Sequence, residues 1–210
     1  NEIAKKNNPN SVYVGQGCDI SLFNKDKVTS IPKDIKSIKS PIIGYIGALK
    51  SSRLDISVLE FIASSKPNWN IVLVGPEDEK FINSNLHNIS NVHFLGSKNE
   101  KELPQFLNAF DVALNPQALN ELTIGNYPRK IDEYLAMGKA VVATKTKTME
   151  VFKVQTYLAE TQEEYVELIS KALDEDSEEK SNSRIKFAHT HTWENNVDAI
   201  YQAIVNTGKH

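Results

Sequence analysis

Six short apolar runs alternate with segments of helical periodicity, and this alternation constrains the fold of the chain most strongly. The runs are Ile42–Leu49, Ile71–Val74, Val92–Leu95, Val112–Leu114, Ala140–Ala143 and Tyr157–Ala159. Each is predicted to be a strand buried on both faces, as in parallel sheets. Parallel strands need crossover connections, and the helices in those connections cover the sheet. We therefore expect an α/β fold, a single Rossmann-like domain of about six parallel strands with helices on both faces.

Apolar residues at helical spacing predict the helices between these strands. The two clearest stripes are Leu54, Val58, Phe61 and Ile62, and then Leu103, Phe106, Leu107 and Phe110. Pro104 places the start of the second helix near that residue, and Thr161 with Glu164 has the spacing of a capping box that opens a third. Ligands of such sheets bind beyond the carboxyl ends of the strands, so the loops at those ends hold the candidate site.

Composition limits the class of protein. At 210 residues with 40% hydrophobic content, the chain can bury a sizeable core. Its net charge of −3 gives no general attraction for nucleic acid, and its single cysteine, Cys18, excludes an internal disulfide framework and fits a reducing compartment. No apolar run reaches the length of a transmembrane helix, and the first residues lack a signal-peptide core. We expect a cytoplasmic protein, free or peripheral to the inner face of the membrane, that binds no nucleic acid.

The segment from Asn115 to Thr144 carries the most functional information. Pro128 is predicted in the first turn of a short helix, whose free backbone N–H groups attract phosphate. Glu133 follows about one turn further in, where its carboxylate can accept hydrogen bonds from the two neighbouring hydroxyls of a ribose. Together these features describe a site for a nucleoside diphosphate. The alternative is that Glu133 is a solvated helix residue, as most glutamates are.

The phrase PRKIDEYLAMGKAVVAT, from Pro128 to Thr144, resembles the C-terminal, donor-binding half of GT-B glycosyltransferases of the retaining, group 1 (family 4) type. The resemblance covers most of residues 11 to 206. It implies that the chain binds a nucleotide-diphosphate sugar, with uridine the commonest base in the family, and serves transfer of the sugar to a glycan or lipid-linked acceptor. It implies no cofactor and no metal.

The turn after the first strand is the predicted diphosphate site. Gly47 leaves room for a ligand to approach the backbone, and Lys50 and Arg53 can neutralise a diphosphate. The resemblance supports this site, although the spacing of the two basic residues departs from that of the family. The alternative is a tight turn with solvated bases.

Other donor-binding residues follow from the resemblance alone. It places Phe94, Leu95 and Gly96, in which the third strand ends, beside the base, although this triplet is equally typical of a plain turn. It also places in the donor site four residues around the start of the helix that carries Glu133. These are Gly125, Asn126, Tyr127 and Lys130.

The family has a second glutamate seven residues before the one on the helix, near the transferred sugar. Here that position is Gly125, so the pattern fails as written. Counting forward from the strand end at Asn115 instead reaches Asn120 or Glu121, as an inserted loop would produce. Glu121 is therefore the candidate catalytic carboxylate, and the alternative is a polar loop residue.

The resemblance also divides the chain. Residues 1–40 are expected to be an interdomain crossing segment and linker, residues 41–190 the nucleotide-sugar-binding domain, and residues 191–210 a C-terminal helix that packs against an absent N-terminal acceptor half. The apolar stripe of that helix is Trp193, Val197, Ile200 and Ile204. We expect this surface to be exposed and to favour weak self-association. We also expect the domain to bind donor without transferring sugar.

Several other motifs do not carry chemistry. Asp174, Glu175 and Asp176 fit a solvated acidic turn, the Gly15–Gly17 segment opens no helix, and no P-loop is present. His189 and His191 have no Cys or carboxylate at metal-ligand spacing. Two hypotheses remain: the domain belongs to an active glycosyltransferase, or the altered glutamate pattern marks a domain that binds a sugar nucleotide or a protein partner without turnover.

Overall fold

The computed structural model describes residues 2–207 and contains one six-stranded sheet in the order β3-β2-β1-β4-β5-β6, with every strand pair parallel. The strands are β1 (Ile42–Ile46), β2 (Asn70–Val74), β3 (Val92–Gly96), β4 (Val112–Asn115), β5 (Ala140–Thr144) and β6 (Tyr157–Ala159). The predicted α/β class is confirmed. The first strand is shorter than predicted, because the chain turns at Gly47, whose φ is 139°.

The helices are α1 (Glu2–Asn7), α2 (Lys33–Lys36), α3 (Ile56–Ser65), α4 (Glu79–Ile82), α5 (Leu103–Asn108), α6 (Lys130–Ala136), α7 (Gln162–Glu175), α8 (Glu178–Ala188) and α9 (Trp193–Thr207). Buried residues of α5, α6 and α8 form one core with the sheet, and those of α3, α4 and α7 form a second. The four inner strands β1, β2, β4 and β5 are buried on both faces because successive side chains enter these two cores alternately. The edge strands β3 and β6 are only partly buried.

Helix boundaries differ from the predictions by one or two residues. Leu54 precedes α3, which instead begins after Asp55, whose carboxylate accepts hydrogen bonds from the N–H groups of Ser57 and Val58. Phe110 lies beyond the end of α5. Pro128 lies two residues before α6 rather than in its first turn, and its carbonyl accepts a hydrogen bond from Ile131 N.

The sheet order creates a crevice at its centre. From β1 the chain moves outward through β2 and β3, and then returns to place β4 on the other side of β1. The connections that leave β1 and β4 therefore run in opposite directions and separate at the carboxyl ends of these strands. Open α/β sheets bind their ligands at such a switch point.

The two ends of the described chain meet beside the first core. Cys18 N donates a hydrogen bond to His191 O at 2.8 Å, and Cys18 and Phe23 are buried in the core that contains α6. The stripe predicted along the C-terminal helix is exposed, with Trp193 at 48% and Ile204 at 59%. No helix within residues 2–207 combines the length and apolarity that crossing a membrane requires.

Candidate functional site

A cleft of about 390 Å³ lies at the carboxyl ends of β1 and β4. Six of the predicted donor-binding residues line it: Gly47, Arg53, Asn126, Tyr127, Lys130 and Glu133. The other lining residues are Gln16, Phe23, Tyr45, Ile46, Leu54, Glu100, Leu103, Asn115, Gln117, Thr123, Pro128 and Arg129. The structure therefore joins in one cleft the turn after β1, the end of β4 and the first turn of α6.

Glu133 projects into the cleft because the rest of α6 is anchored elsewhere. Ile131, Tyr134 and Leu135 are buried in the core, which leaves Glu133 on the opposite, cleft-facing side with its side chain 18% exposed. Its Oε1 lies 3.2 Å from Arg129 Nε, one helical turn earlier. Burial raises the pKa of the Glu133 carboxyl, and the positive charge of Arg129 opposes that rise. The cleft thus contains a half-enclosed carboxylate with acceptor oxygens.

Lys130 extends from the start of α6 to the end of β1. Its Nζ donates a hydrogen bond to Ile46 O at 3.2 Å, contacts the Tyr45 hydroxyl and lies 3.8 Å from the centroid of the Tyr45 ring. Burial lowers the pKa of the Lys130 ammonium to about 7, and the nearby Glu133 charge opposes that change. The cleft therefore has an ammonium group that gains or loses its proton near neutral pH.

Gly47 keeps the floor of the cleft open beside this ammonium. A Cβ at residue 47 would lie 2.7 Å from Lys130 Nζ, and the φ of 139° is one that L side chains rarely adopt. A side chain here would displace Lys130. The glycine thus provides space for the lysine head group and for whatever the lysine binds.

The cationic side chains at the cleft are Arg53, Arg129 and Lys130, and they face two carboxylates, Glu100 and Glu133. Arg53 is exposed, and its backbone is held by the hydrogen bond from Ala118 N to Arg53 O at 2.9 Å. Lys50, the other predicted phosphate ligand, is exposed and does not line the cleft. The balance of charge favours an anionic ligand, and Arg53 is better placed for it than Lys50.

The loop between β4 and α6 folds onto the rim of the cleft. Gln117 Nε2 donates to Thr123 O at 2.9 Å, and Asn120 Nδ2 donates to Ser52 O at 3.0 Å. Glu121 and Gly125 are exposed on this loop and do not line the cleft. The predicted catalytic role of Glu121 stays a prediction.

The triplet Phe94 to Gly96, which forms the end of β3, also lies outside the cleft lining. Phe94 stacks on the His87 ring with centroids 3.9 Å apart, and Leu95 packs against the first core. Gly96 is exposed. Glu100 and Leu103, further along the same connection, do line the cleft. The contact of Phe94, Leu95 and Gly96 with a base stays a prediction.

A buried carboxylate supports the wall of the cleft. Asp132 is wholly buried, and its two oxygens accept hydrogen bonds from Tyr127 OH at 2.7 Å and from His191 Nδ1 at 2.8 Å. The His191 contact requires the ring tautomer that places a hydrogen on Nδ1, since a carboxylate oxygen serves here as the acceptor. Burial, together with the Asp132 charge, raises the pKa of the Tyr127 phenol, which stays protonated as the donor. This network fixes Tyr127, which lines the cleft.

Sequence reasoning missed several polar residues of the cleft, above all Asn115, Gln117, Thr123 and Arg129. Asn115 ends a buried strand and is itself 4% exposed. A polar residue at the carboxyl end of a central strand is the signal that would have indicated it. Among residues 2–207 there is no group of three or more His, Cys, Asp or Glu placed to hold a metal ion. The expectation of a metal-free site stays a prediction.

This single six-stranded parallel sheet with its central cleft matches the fold of one half of GT-B glycosyltransferases. Three solved structures share the fold. Anabaena HepE in complex with UDP and glucose has a TM-score of 0.68 and 21% identity, with 92% of this chain and 55% of that chain covered. Sucrose-phosphate synthase from Thermosynechococcus elongatus has a TM-score of 0.73 and 16% identity, with 92% of this chain and 52% of that chain covered. A glycosyltransferase from Rickettsia africae has a TM-score of 0.74 and 14% identity, with 95% of this chain and 57% of that chain covered. At sequence identities this low, the structural similarity shows that the fold is shared and nothing more.

Residues 40–175 match the family model described as glycosyl transferases group 1, and the chain belongs to that family. A Bacillus subtilis relative, "Putative teichuronic acid biosynthesis glycosyltransferase TuaH", is 29% identical over 135 residues, which are 62% of this chain and 33% of the relative. The chain thus spans about one third of this relative and about half of the solved structures. The resemblance of the segment from Pro128 to Thr144 to this family is confirmed.

Proposed function

We propose that this chain is the donor-binding domain of a glycosyltransferase that moves a sugar from a nucleotide-diphosphate sugar, most simply a UDP-sugar, to a glycan or lipid-linked acceptor. The observation that carries the proposal is one cleft in which Glu133 lies beside Lys130 and Arg53. A ribose needs acceptors for two hydroxyls, and a diphosphate needs cations. The same cleft offers both within one turn of α6.

In this proposal the diphosphate lies between Arg53 and Lys130 and the ribose lies at Glu133. The base extends past Glu100 and Leu103, toward the connection that begins at Gly96. The choice of UDP is supported by HepE, a structural neighbour whose solved complexes contain UDP and UDP-glucose. Metal is not required for this binding, since the side chains themselves supply positive charge.

The domain contributes to transfer by stabilising the leaving group. When the bond between the sugar carbon and the phosphate oxygen breaks, negative charge develops on the diphosphate. Lys130 and Arg53 are already in place to stabilise that charge, so no reorganisation is needed at the moment of reaction. A protonated Lys130 is required for this role, and its pKa of about 7 makes the proton available at neutral pH.

The remainder of the enzyme is part of the proposal. The relatives are two to three times as long as the matched part of this chain, and an N-terminal acceptor domain facing the cleft accounts for the difference. We place the whole enzyme in the cytoplasm, free or peripheral to the membrane, as a transferase of hexosyl groups. Catalysis needs a closed cleft that excludes water, so the 210-residue chain should bind donor without transferring sugar.

A domain that binds without turnover is the second candidate. It is favoured by one observation: Glu121 is exposed outside the cleft, and Gly125 occupies the register of the first family glutamate. In that case the domain binds a sugar nucleotide or a protein partner and releases it without a reaction.

Calorimetric titration of the 210-residue chain with UDP, ADP and GDP tests the donor site, and UDP is expected to bind most tightly. Absence of binding by all three would overturn the proposed function. Acceptor-dependent release of UDP by a longer polypeptide, extended upstream of Asn1, separates the two candidates. Release supports the transferase, whereas donor binding without release over a broad acceptor set supports the binding-only domain.

A further inference from the structure

The last residue of β4 has a buried side-chain amide that takes no part in the ligand contacts proposed above. Asn115 is the last residue of β4, one of the two central strands, and it is 4% exposed. It lines the cleft together with Gly47 and Lys130. Its Nδ2 has no hydrogen-bond partner in the part of the chain that the structure describes. A buried donor without an acceptor is costly, and a ligand oxygen in the cleft would remove that cost.

The backbone fixes the position of this amide. Asn115 O accepts hydrogen bonds from Gln117 N at 2.9 Å and from Tyr165 OH at 3.2 Å. Because side chains alternate along a strand, Asn115 lies on the same face as Ala113, which packs in the core that contains α6. The amide is therefore on the side of the sheet from which Lys130 and Glu133 approach the cleft.

The polar residues of the cleft form two groups. The charged group is Arg53, Glu100, Arg129, Lys130 and Glu133, and the neutral group is Gln16, Tyr45, Asn115, Gln117, Thr123, Asn126 and Tyr127. A diphosphate is matched by the cations of the first group. The hydroxyls of a sugar are neutral, and each is a donor and an acceptor. Neutral amides, which also donate and accept, match them.

Two other members of the neutral group already use their side-chain donors. Gln117 Nε2 donates to Thr123 O at 2.9 Å, and the Thr123 hydroxyl donates to Ala118 O. Asn115 is the member whose buried donor has no acceptor within residues 2–207. Rotation of an asparagine about its last side-chain torsion brings either its nitrogen or its oxygen toward a ligand.

The geometry points to Asn115 as the residue that hydrogen-bonds a hydroxyl of the transferred sugar and so takes part in choosing which sugar is accepted. This inference rests on the proposed function, because it requires the diphosphate to occupy Arg53 and Lys130. A site built to hydrogen-bond a hydroxyl discriminates against ligands that present none there. Asn115 is thus a specificity residue rather than a further phosphate ligand.

Calorimetry on the 210-residue chain and on Asn115→Leu tests the inference, with four probes: UDP, UDP-glucose, UDP-galactose and UDP-N-acetylglucosamine. For the UDP-sugar that the unmodified chain binds most tightly, Asn115→Leu is expected to weaken binding by about fivefold or more, as loss of one hydrogen bond does. UDP itself is expected to change by less than about twofold, because it lacks the sugar. Leucine has a similar volume and no unpaired donor, so the melting temperature should be kept or raised.

Asn196→Leu is the matched control, since Asn196 Nδ2 is also buried without a partner in the described chain but lies outside the cleft. Its affinities should be unchanged. If Asn115→Leu does not fold, Asn115→Ala gives the same comparison. Equal loss for UDP and the UDP-sugar would place the amide on the diphosphate or ribose and overturn the inference, as would no loss for either. Failure of the unmodified chain to bind UDP would instead overturn the proposed function, and this inference with it.

Discussion

Asp132 and His191 are 59 positions apart in sequence, yet the Asp132 carboxylate accepts a hydrogen bond from His191 Nδ1 at 2.8 Å. The same carboxylate holds Tyr127 in the cleft wall. One buried side chain of α6 therefore connects the candidate donor site to the segment that precedes α9. Donor binding and the docking of the C-terminal helix share this support.

Asp132→Ala should reduce both stability and donor affinity. It leaves the Tyr127 hydroxyl and the His191 ring without their acceptor, and we expect a loss of about 1.5–3 kcal/mol in the free energy of unfolding. Urea denaturation measures the loss, and titration with UDP measures the effect on the cleft. Asp198→Ala, an exposed position on α9, is the control and should change neither quantity. Unaltered stability of Asp132→Ala would contradict the supporting role of this network.

Glu133→Ala should weaken UDP binding by at least about tenfold, because a hydrogen bond to a charged group contributes roughly 1.5–3 kcal/mol. Calorimetric titration gives the change in affinity, and circular dichroism reports whether the fold is intact. Glu150→Ala removes an exposed carboxylate away from the cleft and should leave affinity unchanged. A folded Glu133→Ala chain with unchanged affinity would remove Glu133 from the ribose site.

Arg53 and Lys50 provide a matched pair, since both are basic and exposed in the same turn, and only Arg53 lines the cleft. Arg53→Met should weaken UDP binding by about tenfold and leave uridine binding unchanged, because a charge-assisted hydrogen bond is made only to the diphosphate. Lys50→Met should have a smaller effect. Equal losses for UDP and uridine in Arg53→Met, or a larger loss in Lys50→Met, would show that the diphosphate lies elsewhere.

The Lys130 ammonium should make UDP binding depend on pH above neutrality. Its pKa in the free protein is about 7, below the usual range, so the lysine loses its proton as pH rises from 7 to 9. The second pKa of a phosphate is about 6, so the diphosphate is already mostly ionised at pH 7 and its charge changes little in this interval. Bound diphosphate favours the charged lysine, and affinity should therefore fall with rising pH, by at most about tenfold per pH unit.

Lys130→Met is the test of that assignment. The variant should bind UDP more weakly at pH 7 and show no further decrease up to pH 9. Titrations in buffers of different ionisation enthalpy should also detect proton uptake on binding at pH 8 in the unmodified chain and none in the variant. A pH dependence that persists in Lys130→Met belongs to another group.

The sheet was predictable from the sequence because its inner strands are buried on both faces and therefore appear as short apolar runs. The edge strand β3 is only partly buried and contains His93, yet its remaining apolar residues still indicate a strand. The end of β1 was not predictable in the same way. Ala48 and Leu49 are apolar and extend the run, but the backbone conformation of Gly47 interrupts the strand, and beyond it Leu49 forms only an isolated bridge with Glu77. Hydrophobicity indicates burial, whereas the turn depends on a backbone conformation that the pattern does not record.

Site residues were predictable where the helix that carries them also points them into the cleft. They were not predictable where their burial depends on residues far away in the sequence. Asp132 and Glu133 are adjacent acids on one helix and look alike in sequence. Glu133 faces the cleft, while Asp132 is wholly buried because His191 covers it from far along the chain. The unpaired amide of Asn115 was hidden for the same reason, since its burial depends on the tertiary packing around the end of β4.

The contact between Cys18 and the start of α9 provides a built-in reporter. Cys18 is the sole cysteine of the sequence, it is 1% exposed, and its N–H is bonded to His191 O. Burial raises the pKa of its thiol, and only an accessible thiolate is alkylated readily. The rate at which a thiol reagent modifies the native chain therefore measures how often the backbone around Cys18 separates from the segment preceding α9. That rate can be read in the presence and absence of nucleotide, without introducing any label into the protein.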